Sequence, residues 1–146
     1  MAYVSEFPPF AVTVDMVVFA DAGRSVLLVR RGSSPYEGAL ALPGGFVESD
    51  ESLDAAARRE LVEETGVDVG EVAVEQLGAY GEPDRDPRGR TVSVVYVAVL
   101  DDRPEVSAGS DAAAAAWHSV EGLGADLAFD HAQILADARS AASRRT

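Results

Sequence analysis

The chain has 146 residues, 47% of them hydrophobic and 25% charged, with no cysteine and a net charge of −13. That length bounds one domain over 1–146 with room for a real core, and the missing cysteines exclude disulfides, a thiol nucleophile and a thiolate metal site. The acidic balance weighs against nucleic acid as a partner, since phosphates need a basic track; with no leader-like pattern in MAYVSEFPPF and no apolar run near the roughly 18 residues of a span, the expectation is a cytoplasmic protein without a membrane partner.

Phe10 to Phe19 reads as a largely buried strand. Asp21-Ala22-Gly23-Arg24 carries turn chemistry and Ser25 to Arg31 reads as a second strand, so the pair predicts a hairpin. Gly32 to Gly38, with Pro35, is a loop. A helix is predicted from about Leu53 to Thr65, capped by Ser49 or Ser52 and stopped by Gly66. Glu71 to Tyr80 reads as a strand, 82–90 as a polar loop, Thr91 to Leu100 as a valine-rich strand and Asp101 to Asp111 as a loop. The alanine run in Ala113 to Val120 fits either a strand or the end of a loop. Phe129 to Ser143 reads as a terminal helix with Ile134, Leu135 and Ala138 on its apolar side, and no repeat or linker divides the chain. Strands alternating with two helices make an α/β or α+β domain.

The densest chemistry lies in residues 45–67, GFVESDESLDAAARRELVEETGV. It reads as Gly45, five residues, Glu51, seven residues, then Arg59-Glu60-Leu61-Val62-Glu63-Glu64-Thr65-Gly66-Val67. Seven fixed residues and two apolar ones at such spacings arise by chance about once in 10^9 start positions, at roughly 6–7% usage per residue type. At about 100° per residue, Glu60 and Glu64 project within roughly 40° of each other and Glu63 about 60° from Glu60. Like charges at this spacing weaken a helix. A solvated acidic face, with Arg59 paired to Glu63, is the plain alternative. Leu53 and Ala57 share the sector of Glu60 and Glu64, however, so the carboxylates are expected to line a partly enclosed site beside apolar packing. Such oxygen clusters call for a hard cation, Mg2+ or Mn2+ rather than zinc. Arg59 is expected to tie Glu51, and with it the loop, to the helix; the other role open to Glu51 is direct chemistry. Gly44-Gly45 lets backbone approach a ligand, or makes a tight turn, or both.

These residues match the Nudix box, so the chain resembles the Nudix hydrolase family. The resemblance implies a Nudix fold, a mixed β-sheet sandwiched between α-helices, and metal-dependent hydrolysis of a nucleoside diphosphate linked to another moiety. It carries the family's metal ligands onto Glu60, Glu63 and Glu64, with the carbonyl of Gly44 as a further candidate, and implies two or three Mg2+ ions between them and the pyrophosphate. The likeness extends to Leu40-Ala41-Leu42-Pro43-Gly44-Gly45-Phe46-Val47-Glu48, to Pro83-Asp84-Arg85-Asp86-Pro87-Arg88-Gly89-Arg90 and to Leu127-Ala128-Phe129-Asp130-His131. Pro83, sixteen residues after Val67, stands where the family's ADP-ribose pyrophosphatases carry a proline. Tyr80 stands only thirteen residues on, the wrong place for the tyrosine of diadenosine-polyphosphate hydrolases. The resemblance therefore implies hydrolysis of ADP-ribose to AMP and ribose 5-phosphate. The rivals are another nucleotide substrate, such as an oxidised nucleoside triphosphate, NADH or a nucleotide sugar; a non-catalytic ligand-sensing domain; and a plain structural domain.

Outside the box, Arg85, Arg88 and Arg90 form either a solvated hairpin tip or a phosphate and ribose clamp. Arg30 and Arg31 end a strand that can face the same pocket. Phe7, Phe10, Tyr36 and Phe46 either pack or stack on adenine. His131 is read as a structural partner and Trp117 as core. Glu63, Glu105, Asp111 and Glu82 are candidate general bases. A homodimer, with PPF near the N-terminus at its interface, is expected by analogy alone.

Overall fold

The computed structural model describes residues 7–109, 112–124 and 126–143. Its sheet is organised around β1 (Ala11–Ala20), whose last eight residues are all buried. Val14, Met16, Val18 and Ala20 point to one face, against Ala56, Ala57 and Leu61 of helix α1 (Leu53–Thr65). Val17 and Phe19 point to the other, against Ile134, Leu135 and Ala138 of α2 (His131–Ser143). Alternate side chains thus bury on both faces, which is why the strand reads as a continuous apolar run. Each fully buried aliphatic side chain in these two layers contributes roughly 1.5–3 kcal/mol. Among the described residues no helix is long and apolar enough to cross a membrane.

One edge of β1 runs parallel to β6 (Thr91–Val99), from Ala11 opposite Thr91 to Phe19 opposite Val99. β5 (Val74–Tyr80) continues that side antiparallel to β6. The other edge of β1 is shared. Phe19 and Ala20 pair with β2 (Ser25–Arg31), while Thr13, Val14 and Asp15 pair with β4 (Gly44–Phe46). β2 also carries β3 (Leu40–Ala41) and β7 (Ala112–Ser119). The expected mixed sheet between helices is therefore present.

Several boundaries differ from expectation for local reasons. β5 starts at Val74 rather than Glu71, because Gly70 has φ 58° and Val72 N–H closes a turn on Val69 O. The alanine run is a strand: pairing along β2 from Ser25 to Arg31 overrides its weak propensity. α2 begins at His131, since Phe129 is left-handed at φ 55°. Neither β3 nor β4 was expected; at two and three residues, beside Pro43 and two glycines, they are shaped by their partners.

Candidate active site

α1 forms as its sequence dictates. Ser52 Oγ accepts the Ala55 N–H at 3.2 Å, and Gly66, left-handed at φ 74°, returns its N–H to Val62 O at 2.9 Å. Seating Ala56, Ala57 and Leu61 on β1 turns Glu60 and Glu64 toward β4. Glu64 Oε1 accepts the Gly44 N–H at 2.7 Å. Gly44 faces Asp15 in the β1–β4 register. An extended residue sends its N–H and C=O to the same edge, so the Gly44 carbonyl also leaves toward α1. A Cβ on Gly44 would run into β1 backbone, 2.9 Å from Asp15 Cα, and one on Gly45 would displace the Glu60 carboxyl, 2.5 Å away.

Arg59 joins the box to its loop. Its Nε and Nη2 donate to the two Glu51 oxygens at 2.9 and 2.6 Å, its Nη1 to Glu60 and Glu63 at 2.8 and 3.2 Å, and its Nη2 to Phe46 O at 3.1 Å. The Arg59 bonds, helped by the Glu48 N–H, pull the Glu51 carboxyl down to about 2. Glu60 moves the other way, raised by burial despite Arg59. Glu64 is pushed up to about 8, first by burial and then by the Glu60 and Asp15 charges, against the Gly44 N–H and Arg31. Two half-enclosed carboxylates thus share a space with too little positive charge. Their oxygen-only chemistry fits a hard divalent cation. Among the described residues, no three His, Cys, Asp or Glu side chains are already gathered as a ligand set.

Both carboxylates open into a cavity of about 400 Å3 between β4, α1, the 82–90 loop and the start of α2. Its floor is a buried polar network. Ser93 Oγ donates to Asp15 Oδ2 at 2.5 Å, His131 Nε2 lies 3.6 Å from Asp15 Oδ1, and His131 Nδ1 accepts the Leu42 N–H at 3.0 Å. Burial pushes the Asp15 carboxyl up, but His131, Ser93 and Arg85 together hold it below its ordinary value. Arg85 donates through Nε and Nη2 to both Asp130 oxygens, at 2.9 and 2.6 Å. At the rim the Arg88 guanidinium lies 5.2 Å from the Phe46 ring and 5.5 Å from the Phe129 ring, and Arg31 lies 5.0 Å from the Phe129 ring.

Of the residues the sequence singles out, Gly44, Gly45, Phe46, Arg59, Glu60, Glu64, Arg85, Arg88 and His131 line this cavity. Glu51 sits behind Arg59. Glu63 turns outward to Arg59, with its side chain 45% exposed and off the lining, so the three box glutamates do not converge. Glu105 and Glu82 are exposed and off it too, as is Pro83; Asp111 lies outside the described residues. Arg30 does not face the cavity: it is exposed, with Nη1 on Gly38 O at 2.6 Å, while Arg31 lines the wall. Side chains alternate along a strand, so the two neighbours could not share one pocket. Nor is the arginine loop a solvated tip, because Arg85 and Asp86 are buried. Arg90 packs on Phe10, 4.8 Å from its ring, off the lining, and Phe7 is also away from it. Tyr36 packs on Phe129, with ring centroids 4.8 Å apart and planes tilted by 57°. Trp117 packs on the α1-side core as expected, only partly buried.

The structure adds Asp15, Glu48, Asp86 and Phe129 to the wall. A lone aspartate within an apolar strand was the available signal for Asp15. Glu48 stands between the glycine pair and Glu51, a position with chemical content. Phe129 was read only within a family-like stretch and as the start of the terminal helix, because its placement depends on a left-handed turn.

A family model of the NUDIX domain matches residues 9–138. The chain is 42% identical over 127 residues to an ADP-ribose pyrophosphatase of Methanocaldococcus jannaschii, covering 87% of itself and 72% of that protein. It is 37% identical to the ADPR responsive transcriptional repressor NtrR of Acinetobacter baylyi, over 97% of itself but only 58% of the repressor's length. The structure of the NUDIX domain of Shewanella oneidensis NrtR complexed with ADP ribose superposes with a TM-score of 0.82 at 34% identity, covering 96% of this chain and 91% of that one. The chain belongs to the Nudix hydrolase family.

Proposed function

We propose that this domain hydrolyses the pyrophosphate of ADP-ribose, giving AMP and ribose 5-phosphate. The observation that carries the reading is the pairing of Glu60 and Glu64, two carboxylates short of positive charge, with arginines on the opposite wall of one cavity. The 42% identical archaeal ADP-ribose pyrophosphatase supports the substrate. Glu60 and Glu64, with the Gly44 carbonyl, would hold a divalent cation; Glu63 would join them only by turning in from its exposed position. When bound, such an ion neutralises a diphosphate and lowers the pKa of a water. Arg31, Arg85 and Arg88 orient the anionic substrate, Arg85 from a position fixed by Asp130. Phe46, half-exposed, offers a flat apolar face to a base.

The attacking water must lose a proton as the phosphorus–oxygen bond to the leaving phosphate breaks. Glu105 and Glu63 lie off the cavity, Asp15 is bound by Ser93, and Asp86 by Arg88. With Glu60 and Glu64 taken as ligands, Glu48 is the cavity carboxylate left to accept it among the described residues. Mg2+ as the working metal, a cytoplasmic location and a homodimer complete the proposal on the resemblance alone.

The test is a substrate panel with Mg2+ and Mn2+, resolving products by chromatography. AMP and ribose 5-phosphate from ADP-ribose are expected at the highest kcat/KM. Intact ADP-ribose alongside rapid turnover of an oxidised nucleoside triphosphate, NADH or a nucleotide sugar would transfer the assignment to that substrate. A second reading, ADP-ribose sensing without turnover, is favoured by the 37% identity to the repressor. Saturable ADP-ribose binding with no product in either metal would establish it.

A further inference from the structure

Glu64 is held from two directions by glycine backbone. Its side chain accepts the Gly44 N–H, and its main-chain carbonyl accepts the Gly109 N–H at 3.3 Å. Gly109 lies in the loop after β6, whose described part, residues 101–109, closes over the C-terminal end of α1. The Ser107 N–H donates to Thr65 O at 2.9 Å, and Val106 packs into the core cluster of Leu61 and Val67. The carbonyls of a helix's last turn have no partners within the helix and ordinarily fray into water. Here Val62, Glu64 and Thr65 each receive a donor, from Gly66, Gly109 and Ser107.

Gly109 is needed there for space. Its φ is not in the left-handed region, yet a Cβ would lie 2.5 Å from the Glu63 carbonyl oxygen. That neighbour is backbone in the same helical turn as Glu64, so it gives way only if the turn moves. We infer that Gly109 is a positioning residue: by letting the 101–109 loop close on the last turn of α1, it sets where the Glu64 carboxylate stands relative to Glu60 and Gly44. The inference rests on the reading of Glu60 and Glu64 as metal ligands. It adds a determinant that makes no contact with the cavity.

The test is Mn2+ binding to the full chain, read from the free-Mn2+ electron paramagnetic resonance signal, with folding followed by circular dichroism. Gly109→Ala is compared with wild type, Glu64→Gln and Gly78→Ala; the last is a glycine on β5 with open space around it. Gly109→Ala is expected to weaken Mn2+ binding ~10-fold, the scale of lost support to a metal ligand, while remaining folded. Gly78→Ala should bind as wild type does. If Gly109→Ala does not fold, Val106→Ala, which loosens the same loop without adding atoms, carries the decision and should weaken binding in the same direction. Wild-type affinity in the deciding variant, with Glu64→Gln clearly weakened, would overturn the positioning role and leave the metal reading standing. Wild-type affinity in Glu64→Gln would instead overturn the metal reading itself.

Discussion

At the scale of single residues, Glu64 decides most. Its carboxyl in the metal-free protein titrates at about 8, against an ordinary 4.5, with burial the largest cause. Between those values the folded chain keeps a proton that the unfolded chain has released. Stability in the absence of metal therefore falls as pH rises through that window. Glu60, also raised, adds to the same slope. Thermal melts of the metal-stripped protein should show Tm declining toward pH 8, with a shallower decline in Glu64→Gln. Proton and cation compete for the same oxygens, so Mg2+ should raise Tm more at high pH than at low. Parallel pH profiles for the two proteins would contradict this account. Glu48 makes a separate prediction. As proton acceptor, its change to Gln should lower kcat by roughly 10^2 to 10^4 while Mn2+ binding stays as in wild type; an unchanged kcat would remove it from the chemistry.

At the scale of elements, the cavity is assembled by pairs that join distant segments. Arg85, with its side chain 4% exposed, ties the 82–90 loop to the start of α2 through Asp130, 24% exposed. Removing the Asp130 charge leaves Arg85 enclosed and under-neutralised. Asp130→Asn should cost about 3 kcal/mol, the low end for a broken buried pair because Asp130 keeps some water. Freed from its clamp, Arg85 should also let KM for the nucleotide rise more than kcat falls. A melt and steady-state kinetics on one preparation check both, and an unchanged Tm would show that the pair is not structural. α1 was legible because its cap, its stop and its apolar sector are all local, and β2 because turn chemistry precedes it. Asp15 with His131, Arg85 with Asp130, and the parallel contact of β1 with β6 were not, because nothing local encodes which remote segment a side chain meets. The adjacent arginines were misread for a different reason: strand alternation, available from the start, allowed only one of Arg30 and Arg31 to face the cavity.

At the scale of the whole molecule, the question is what a net charge of −13 permits as a ligand. The arginines at the cavity do not form a basic track. Arg85 is committed to Asp130 and Arg88 to Asp86, and Arg31 lies against a ring. They reach a small anion only at the cavity itself, within about one Debye length of ~10 Å at 0.1 M salt. Duplex DNA presents a charge every ~1.7 Å along its axis and releases counterions only where cations line up along it. A nucleoside diphosphate accompanied by a divalent cation suits this cavity; a duplex would meet the net repulsion of a −13 chain. The chain matches only 58% of the repressor relative's length, so that protein's activity as a whole does not carry over to it. The 146-residue chain alone should therefore leave the anisotropy of a labelled duplex unchanged at low salt, where any electrostatic attraction is strongest, and do so with or without ADP-ribose. Saturable binding that weakens on adding salt would show that the −13 charge is distributed so as to leave a cationic face, and would move the sensing reading ahead of the hydrolytic one.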